Sequence, residues 1–224
     1  PALELLGEMH RLRLELDIIS YNSAISVCEK GKQWQMALKL LSELQCSSLD
    51  PDIITYDASI SACEKGGQWQ AALALMAEMR PLDLRPSLIT YNAAMSACET
   101  GGVWAIALRL LTMLLLERGE PDVVSYSAAI SGCEKGKQWT WALELLRRMQ
   151  QIRLKANAIS YNAVISACSR QQQWDVALWL MADMVRSGAQ PDPTTYTFGL
   201  GACEEGQRWN QLSRCLGDMQ DWAL

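Results

Sequence analysis

Six short polar side chains share one register of this sequence. Asn22, Asp57, Asn92, Ser127, Asn162 and Thr197 each directly follow a tyrosine, and each lies 35 residues from the next. A second register at the same interval holds Asp52, Ser87, Asp122, Asn157 and Asp192. All can accept a hydrogen bond and several can also donate one, which suits the recognition of polar shapes rather than the breaking of bonds. The same residue types also cap helices and fill turns. For the second register that plainer reading is strong, because proline precedes the residue in most cases. For the first it is weaker, since the position falls inside a helical turn, after a cap expected at Ser20.

Two further columns run beside these. Ile19, Ile54, Ile89, Val124 and Ile159 form an aliphatic column, from which Thr194 departs. Lys30, Lys65, Lys135 and Arg170 form a cationic one, broken by Thr100 and Glu205. A cation at a helix end also suits the helix dipole. Together the columns describe a ladder, each rung with an apolar wedge, two polar groups and usually a positive charge.

Catalysis and metal binding have little to stand on. His10 is the only histidine, and no glycine-rich phosphate loop or nucleophile elbow occurs. Glu29, Glu64, Glu99, Glu134 and Glu204 recur singly, as a solvated face would, not as an acid–base pair. The eight cysteines include no pair closer than Cys203 and Cys215, 12 apart, whereas zinc sites need ligands about two to four residues apart. Stacked helices about 8–10 Å apart also disfavour bridges between equivalent cysteines, which need Cα atoms within about 7 Å. Cys28, Cys63, Cys98, Cys133, Cys168 and Cys203 are therefore expected as small core residues.

What must position the ladder is a repeat. Tyr21, Tyr56, Tyr91, Tyr126, Tyr161 and Tyr196 keep the 35-residue interval without a slip, as do six cysteines and Trp34, Trp69, Trp104, Trp139, Trp174 and Trp209. Repeats are set at 18–52, 53–87, 88–122, 123–157 and 158–192, with 193–224 truncated and 1–17 fitting the second half of another. Each reads as two helices. In the first repeat Tyr21, Ala24, Ile25 and Cys28 share one face, Gly31 marks a turn, and Trp34, Ala37, Leu38, Leu41 and Leu44 form a second face. Helices of about 13 residues cannot bury such faces alone, so neighbours must stack. The tyrosines and the tryptophan column are expected in the core, and Trp141, Trp179 and Trp222, outside that column, at the surface or a cap. Ala37, Ala72, Ala107, Ala142 and Ala177 recur where helices approach. Leu212, Gln171 and Ala156 break the alanine, glycine and proline columns, which predicts looser geometry toward the C-terminal end.

Composition agrees with a folded binding protein. Half of the residues are hydrophobic and 20% are charged. The net charge of −5 gives no general attraction to phosphate. No apolar run reaches the length of a membrane span. The sequence starts at Pro1 and carries no signal peptide, so a fragment is expected and no compartment can be read from it.

The repeat resembles the pentatricopeptide repeat of organelle RNA-binding proteins. The resemblance rests on "ITYDASISACEKGGQWQAALALMAEM", the 35-residue period, the Tyr-Asn start, Lys before the turn glycine, Ala-Leu in the second helix and a terminal Pro-Asp. The Trp column and the "CEKGGQW" turn depart from the usual family residues. The resemblance implies an all-α, right-handed α-solenoid superhelix of stacked antiparallel helix pairs, monomeric and without cofactor or catalytic residues. It implies that the residue after the tyrosine and the last residue of the repeat read one base of single-stranded RNA. Asn22 with Asp52, Asn92 with Asp122 and Asn162 with Asp192 then resemble uracil readers, and Ser127 with Asn157 an adenine reader. Asp57 with Ser87 matches no clear combination, and Thr197 lacks its partner. The implied target is U-x-U-A-U, 5′ to 3′. Ile19, Ile54, Ile89, Val124 and Ile159 would sandwich bases, and Lys30, Lys65, Lys135 and Arg170 would touch phosphates. The resemblance points to a mitochondrion or chloroplast and to RNA processing, stability or translation. The competing expectation is a protein-binding scaffold of the tetratricopeptide type, whose repeat has 34 residues and a different signature.

Overall fold

A computed structural model describes residues 17–47 and 49–206, with side chains to Ala202. The first sixteen residues, including His10, lie outside the described residues. So do the side chains of Cys203, Glu204 and Glu205, and Trp209, Leu212, Cys215 and Trp222. The described elements are helices: α1 Ile18–Lys30, α2 Trp34–Cys46, α3 Ile53–Lys65, α4 Trp69–Met79, α5 Leu88–Thr100, α6 Trp104–Leu116, α7 Val123–Lys135, α8 Trp139–Gln151, α9 Ala158–Arg170, α10 Trp174–Arg186 and α11 Pro193–Gly206.

Two compact bodies divide them. One takes the described residues up to Gly101 with Thr112–Gly119; the other takes Gly102–Leu111 and those from Glu120 onward. In the first body α3 packs on both α1 and α5, while α2 and α4 pack against them from the side. In the second, α9 packs on α7 and α11, with α8 and α10 alongside. The outermost described helix of the first body, α1, buries only Tyr21, Ala24, Ile25 and Cys28, the face expected from its spacing. Flanked on both sides, α3 buries seven residues, adding Thr55, Ala58 and Ala62 to the four equivalent positions. That double-sided contact explains why these positions are small. In α2 the buried face is Ala37, Leu40, Leu41 and Leu44, so Leu40 takes the place expected for Leu38.

The first helix of a repeat starts on a strong side-chain cap. Asp17, Asp52, Ser87, Asp122 and Asn157 each accept a hydrogen bond from the backbone N–H three residues on. Ser20 is therefore not the cap; it is the third residue of α1 and donates to Asp17. Second helices start on Gln33, Gln68, Gln138 and Gln173 without a side-chain cap, so packing of their aliphatic face must hold them.

The turn between the two helices also differs from expectation. Gly31, Gly66, Gly101 and Gly136 have ordinary negative φ, between −76° and −85°. The left-handed residue is the next one: Lys32, Gly67, Gly102, Lys137 and Gln172. The glycine column has a steric cause instead. A Cβ on Gly66 would lie 2.3 Å from Trp34 Cδ1, on Gly101 2.2 Å from Trp69 Cδ1, and on Gly136 2.3 Å from Trp104 Cδ1. Trp34, Trp69 and Trp104 thus seat their rings on the turn of the following repeat. The tryptophans are consequently half-buried at the rim between repeats and not in the core as expected. Trp141 and Trp179 are exposed.

The remaining core follows the expectation. Tyr21, Tyr56, Tyr91, Tyr126 and Tyr161 are buried, while Tyr196 is partly exposed. Their hydroxyls find partners where needed: Tyr91 donates to Glu117 at 2.9 Å and Tyr161 to Asp183 at 3.0 Å. Burial, with the Glu117 carboxylate close by, pushes the Tyr91 hydroxyl up to about 12. Cys28, Cys63, Cys98, Cys133 and Cys168 are buried free thiols. Burial pushes Cys63 and Cys98 up to about 11, and Cys133 and Cys168 to about 12. No helix is long and apolar enough to cross a membrane among the described residues.

Candidate nucleic-acid interface

The two polar registers meet. In the first repeat Asn22 Nδ2 donates to Asp52 Oδ1 at 3.1 Å, across 30 residues of chain. Thr55 ties both together, its one hydroxyl proton shared between Asn22 Oδ1 at 2.6 Å and Asp52 Oδ1 at 2.8 Å. An ionised carboxylate only accepts, so the amide nitrogen must face Asp52 and the amide oxygen Thr55. The fifth repeat copies this: Asn162 Nδ2 donates to Asp192 Oδ2 at 2.9 Å, and Thr195 Oγ1 donates to Asn162 Oδ1 at 2.6 Å. There Thr194, where the aliphatic column fails, joins the network by accepting from Asn162 Nδ2 at 2.9 Å.

Two repeats vary the theme. Ser87 Oγ donates to Asp57 Oδ2 at 2.8 Å, and Thr90 Oγ1 donates to Asp57 Oδ1. Ser127 and Asn157 meet only through Ser160, whose hydroxyl shares a 2.7 Å hydrogen bond with Ser127 and donates to Asn157 Oδ1 at 2.9 Å. Ser127 is buried and Thr197 exposed, each hydrogen-bonding to the backbone carbonyl four residues earlier. Asn92 lies in the first compact body and Asp122 in the second, where Asp122 caps α7.

The second register therefore does serve as helix caps, and the same side chains reach the first register in the repeats described above. Sequence reading missed the residue that joins them. Thr55, Thr90, Ser125, Ser160 and Thr195, one before each tyrosine, are all buried hydroxyls at the third helical position. The visible signal was an unbroken Ser/Thr column, a capping-box partner in all but name.

Carboxylate ionisation is favoured at Asp52 and Asp192. At Asp52 burial works against the charge, but hydrogen bonds from Thr55 and Asn22 outweigh it, and its carboxyl sits below the ordinary range. Hydrogen bonds from Thr194 and the Thr195 backbone bring Asp192 down to about 2.

Beside the rungs, Ile19, Ile54, Ile89, Val124 and Ile159 are between 53% and 70% exposed, which is unusual for aliphatic residues on packed helices. Lys65 Nζ pairs with Glu29 Oε1 at 2.8 Å and Arg170 NH1 with Glu134 Oε1 at 3.4 Å, each reaching back one repeat. Lys30 is exposed, and Lys135 makes a further polar contact. The glutamate column is accordingly no plain solvated face. Glu29, Glu64 and Glu134 are half-buried, Glu134 also accepts from Ser166 at 2.8 Å, and burial pushes Glu64 up. Stacking places Glu29 and Glu134 against the next repeat. Among the described residues no group of three or more His, Cys, Asp or Glu could hold a metal.

Comparison with known proteins agrees with this arrangement. The pentatricopeptide repeat domain family matches residues 4–65, 39–100 and 118–171, and the PPR repeat family matches 156–205. The crystal structure of the pentatricopeptide repeat protein PPR10 from maize is 28% identical, with a TM-score of 0.73 over 98% of this chain and 32% of that one. PPR10 in complex with an 18-nt psaJ RNA element is 23% identical, with a TM-score of 0.74 over 92% of this chain and 29% of that one. The PPR domain of Arabidopsis thaliana protein-only RNase P 1, in complex with tRNA, is 16% identical, with a TM-score of 0.64 over 74% and 87%. No curated protein sequence matches the chain. With family matches across most of its length and an all-helical paired fold to go with them, the chain belongs to the pentatricopeptide repeat family.

Proposed function

We propose that this array binds single-stranded RNA sequence-selectively, about one base per repeat, and acts by binding in RNA processing, stability or translation in a mitochondrion or chloroplast. The repeats at 18–52 through 158–192 are its rungs. The observation that carries the reading is the direct pairing of Asn22 with Asp52 and of Asn162 with Asp192, beside an exposed aliphatic residue or its threonine substitute. Because Thr55 holds the Asn22 oxygen, the pair offers an N–H next to a carboxylate. Uracil presents the complement, a carbonyl next to N3–H. By the family resemblance Asn92 and Asp122 are assigned to uracil, and Ser127 with Asn157 to adenine. Ile19, Ile54, Ile89, Val124 and Ile159 flank the bases, with Thr197 beginning a sixth rung. Lys30, Lys65, Lys135 and Arg170 contact phosphates, two of them sharing their charge with a glutamate. The RNA complexes of the maize protein and of the RNase P domain support the assignment.

The test is a gel-shift titration with RNA containing U-x-U-A-U against a scrambled sequence. Asn22→Ala is expected to weaken the first RNA more than the second; equal loss on both defeats base reading. About four phosphate contacts give a slope of log K against log salt near −3. A flat dependence would favour the scaffold reading instead.

A further inference from the structure

The second rung carries a different polarity from the others, and it supplies the base left open in U-x-U-A-U. Both hydroxyls of that rung are placed to donate to Asp57. Ser87 has one hydroxyl proton and gives it to Asp57 Oδ2 at 2.8 Å. Thr90 has one and gives it to Asp57 Oδ1. The backbone N–H groups of Ser87 and Thr90 are spent on Thr90 Oγ1 at 2.8 Å and Ser87 Oγ at 3.1 Å. Asp57, half-exposed on α3, is a carboxylate and contributes none. The rung is therefore all acceptor, with two carboxylate oxygens fixed side by side by their hydroxyl partners. The Asn22 rung, built on the same backbone, differs in keeping an amide N–H.

We infer that the Asp57–Ser87 rung selects guanine. This rests on the RNA reading above. Guanine alone carries two adjacent donors, N1–H and N2–H, on its pairing edge, and a carboxylate accepts such a pair in bidentate fashion with charge assistance. Adenine, cytosine and uracil have no two adjacent donors there. Each would place a lone pair against a carboxylate oxygen that no proton in the rung can relieve. Asp57 is thus the specificity-determining residue, and Thr90 and Ser87 position it. The target becomes U-G-U-A-U.

The experiment measures Kd of the unmodified 224-residue chain for one flanked RNA in which x is G, A, C, U or inosine. Inosine keeps N1–H and lacks the N2 amino group. Guanine is expected to bind about tenfold tighter than A, C or U, the usual discrimination of a bidentate pair, with inosine between. In Asp57→Asn, checked for folding by its helical circular dichroism, the guanine preference is expected to vanish while the preference for U over C at the first base persists. Binding of all five RNAs within twofold, with the first-base preference intact, overturns the guanine assignment and leaves base reading standing. Inosine equal to guanine overturns the bidentate geometry. Loss of preference at the first base as well overturns the RNA reading and the assignment with it.

Discussion

Gly101→Ala is a demanding test of the contact between repeats. The backbone at Gly101, φ −78° and ψ −5°, accepts any residue, and helix propensity alone would favour alanine by up to about 1 kcal/mol. The objection is purely steric. The added methyl would lie 2.2 Å from Trp69 Cδ1, 2.6 Å from Cγ and 2.8 Å from Nε1, where carbon contacts settle near about 3.5–4 Å. The indole would have to move by more than about 1 Å, and overpacking of that kind costs about 1–3 kcal/mol. For a chain of this size the melting temperature should fall by about 2–12 °C. Gly31→Ala is the internal control. It occupies the same turn position with φ −81°, and its nearest neighbour would be a backbone oxygen at 3.4 Å. Alanine there should be neutral or stabilising. Thermal unfolding followed by circular dichroism compares the two, and a Trp69→Ala background should remove most of the Gly101→Ala cost. Equal melting temperatures for the two alanine variants, or an undiminished cost without the indole, would refute the Trp–Gly seat.

Other expectations follow from the same geometry. Thr55→Val keeps the shape but removes the hydroxyl that serves Asn22 and Asp52, leaving buried polar groups unserved; it should cost about 1–3 kcal/mol in chemical denaturation and relax base selectivity at the first rung. Native thiol labelling at pH 8 followed by mass spectrometry should modify Cys46 while Cys28, Cys63, Cys98, Cys133 and Cys168 stay protected until denaturant is added, since they are buried and burial raises their thiols. Asp192 falls from an ordinary 3.8 to about 2 on folding, so its stabilising contribution is complete above about pH 4 and lost as pH falls through 2; Asp192→Asn should flatten that part of the acid-unfolding curve, read by circular dichroism.

Much of this was legible in the sequence because a repeat is its own control. Tyr21, Cys28 and Ala37 recur without regard to surface chemistry, and periodicity alone placed them in the core. The polar registers were legible as chemistry, but their meeting was not, because Asn22 and Asp52 are joined across 30 residues by a fold and not by a helix face. The tryptophans misled for a related reason. Their phase with Ala37 and Leu41 indicates which face they share, not that the first helix of the following repeat ends in a glycine beneath the ring. Glu29 read as a solvated charge and Lys65 as a phosphate contact, each on its own helix, and only stacking pairs them.

One consequence concerns how base specificity can be measured at all. In the repeats at 18–52, 53–87 and 158–192 the last residue caps the following first helix and also holds the polar reader of its own repeat. Asp52 Oδ1 receives the Thr55 N–H at 2.8 Å and the Asn22 amide at 3.1 Å. Alanine at Asp52 would therefore remove a cap worth about 0.5–2 kcal/mol and release the reader together. Loss of RNA binding in that variant would confound unfolding of α3 with loss of recognition. Asp52→Asn separates them. Asparagine caps as well as aspartate, so stability should change little, while the rung exchanges a carboxylate for a group that can donate. A shift in base preference with an unchanged melting temperature would assign recognition to the polarity of the pair. A lowered melting temperature with unchanged preference would confine Asp52 to the cap.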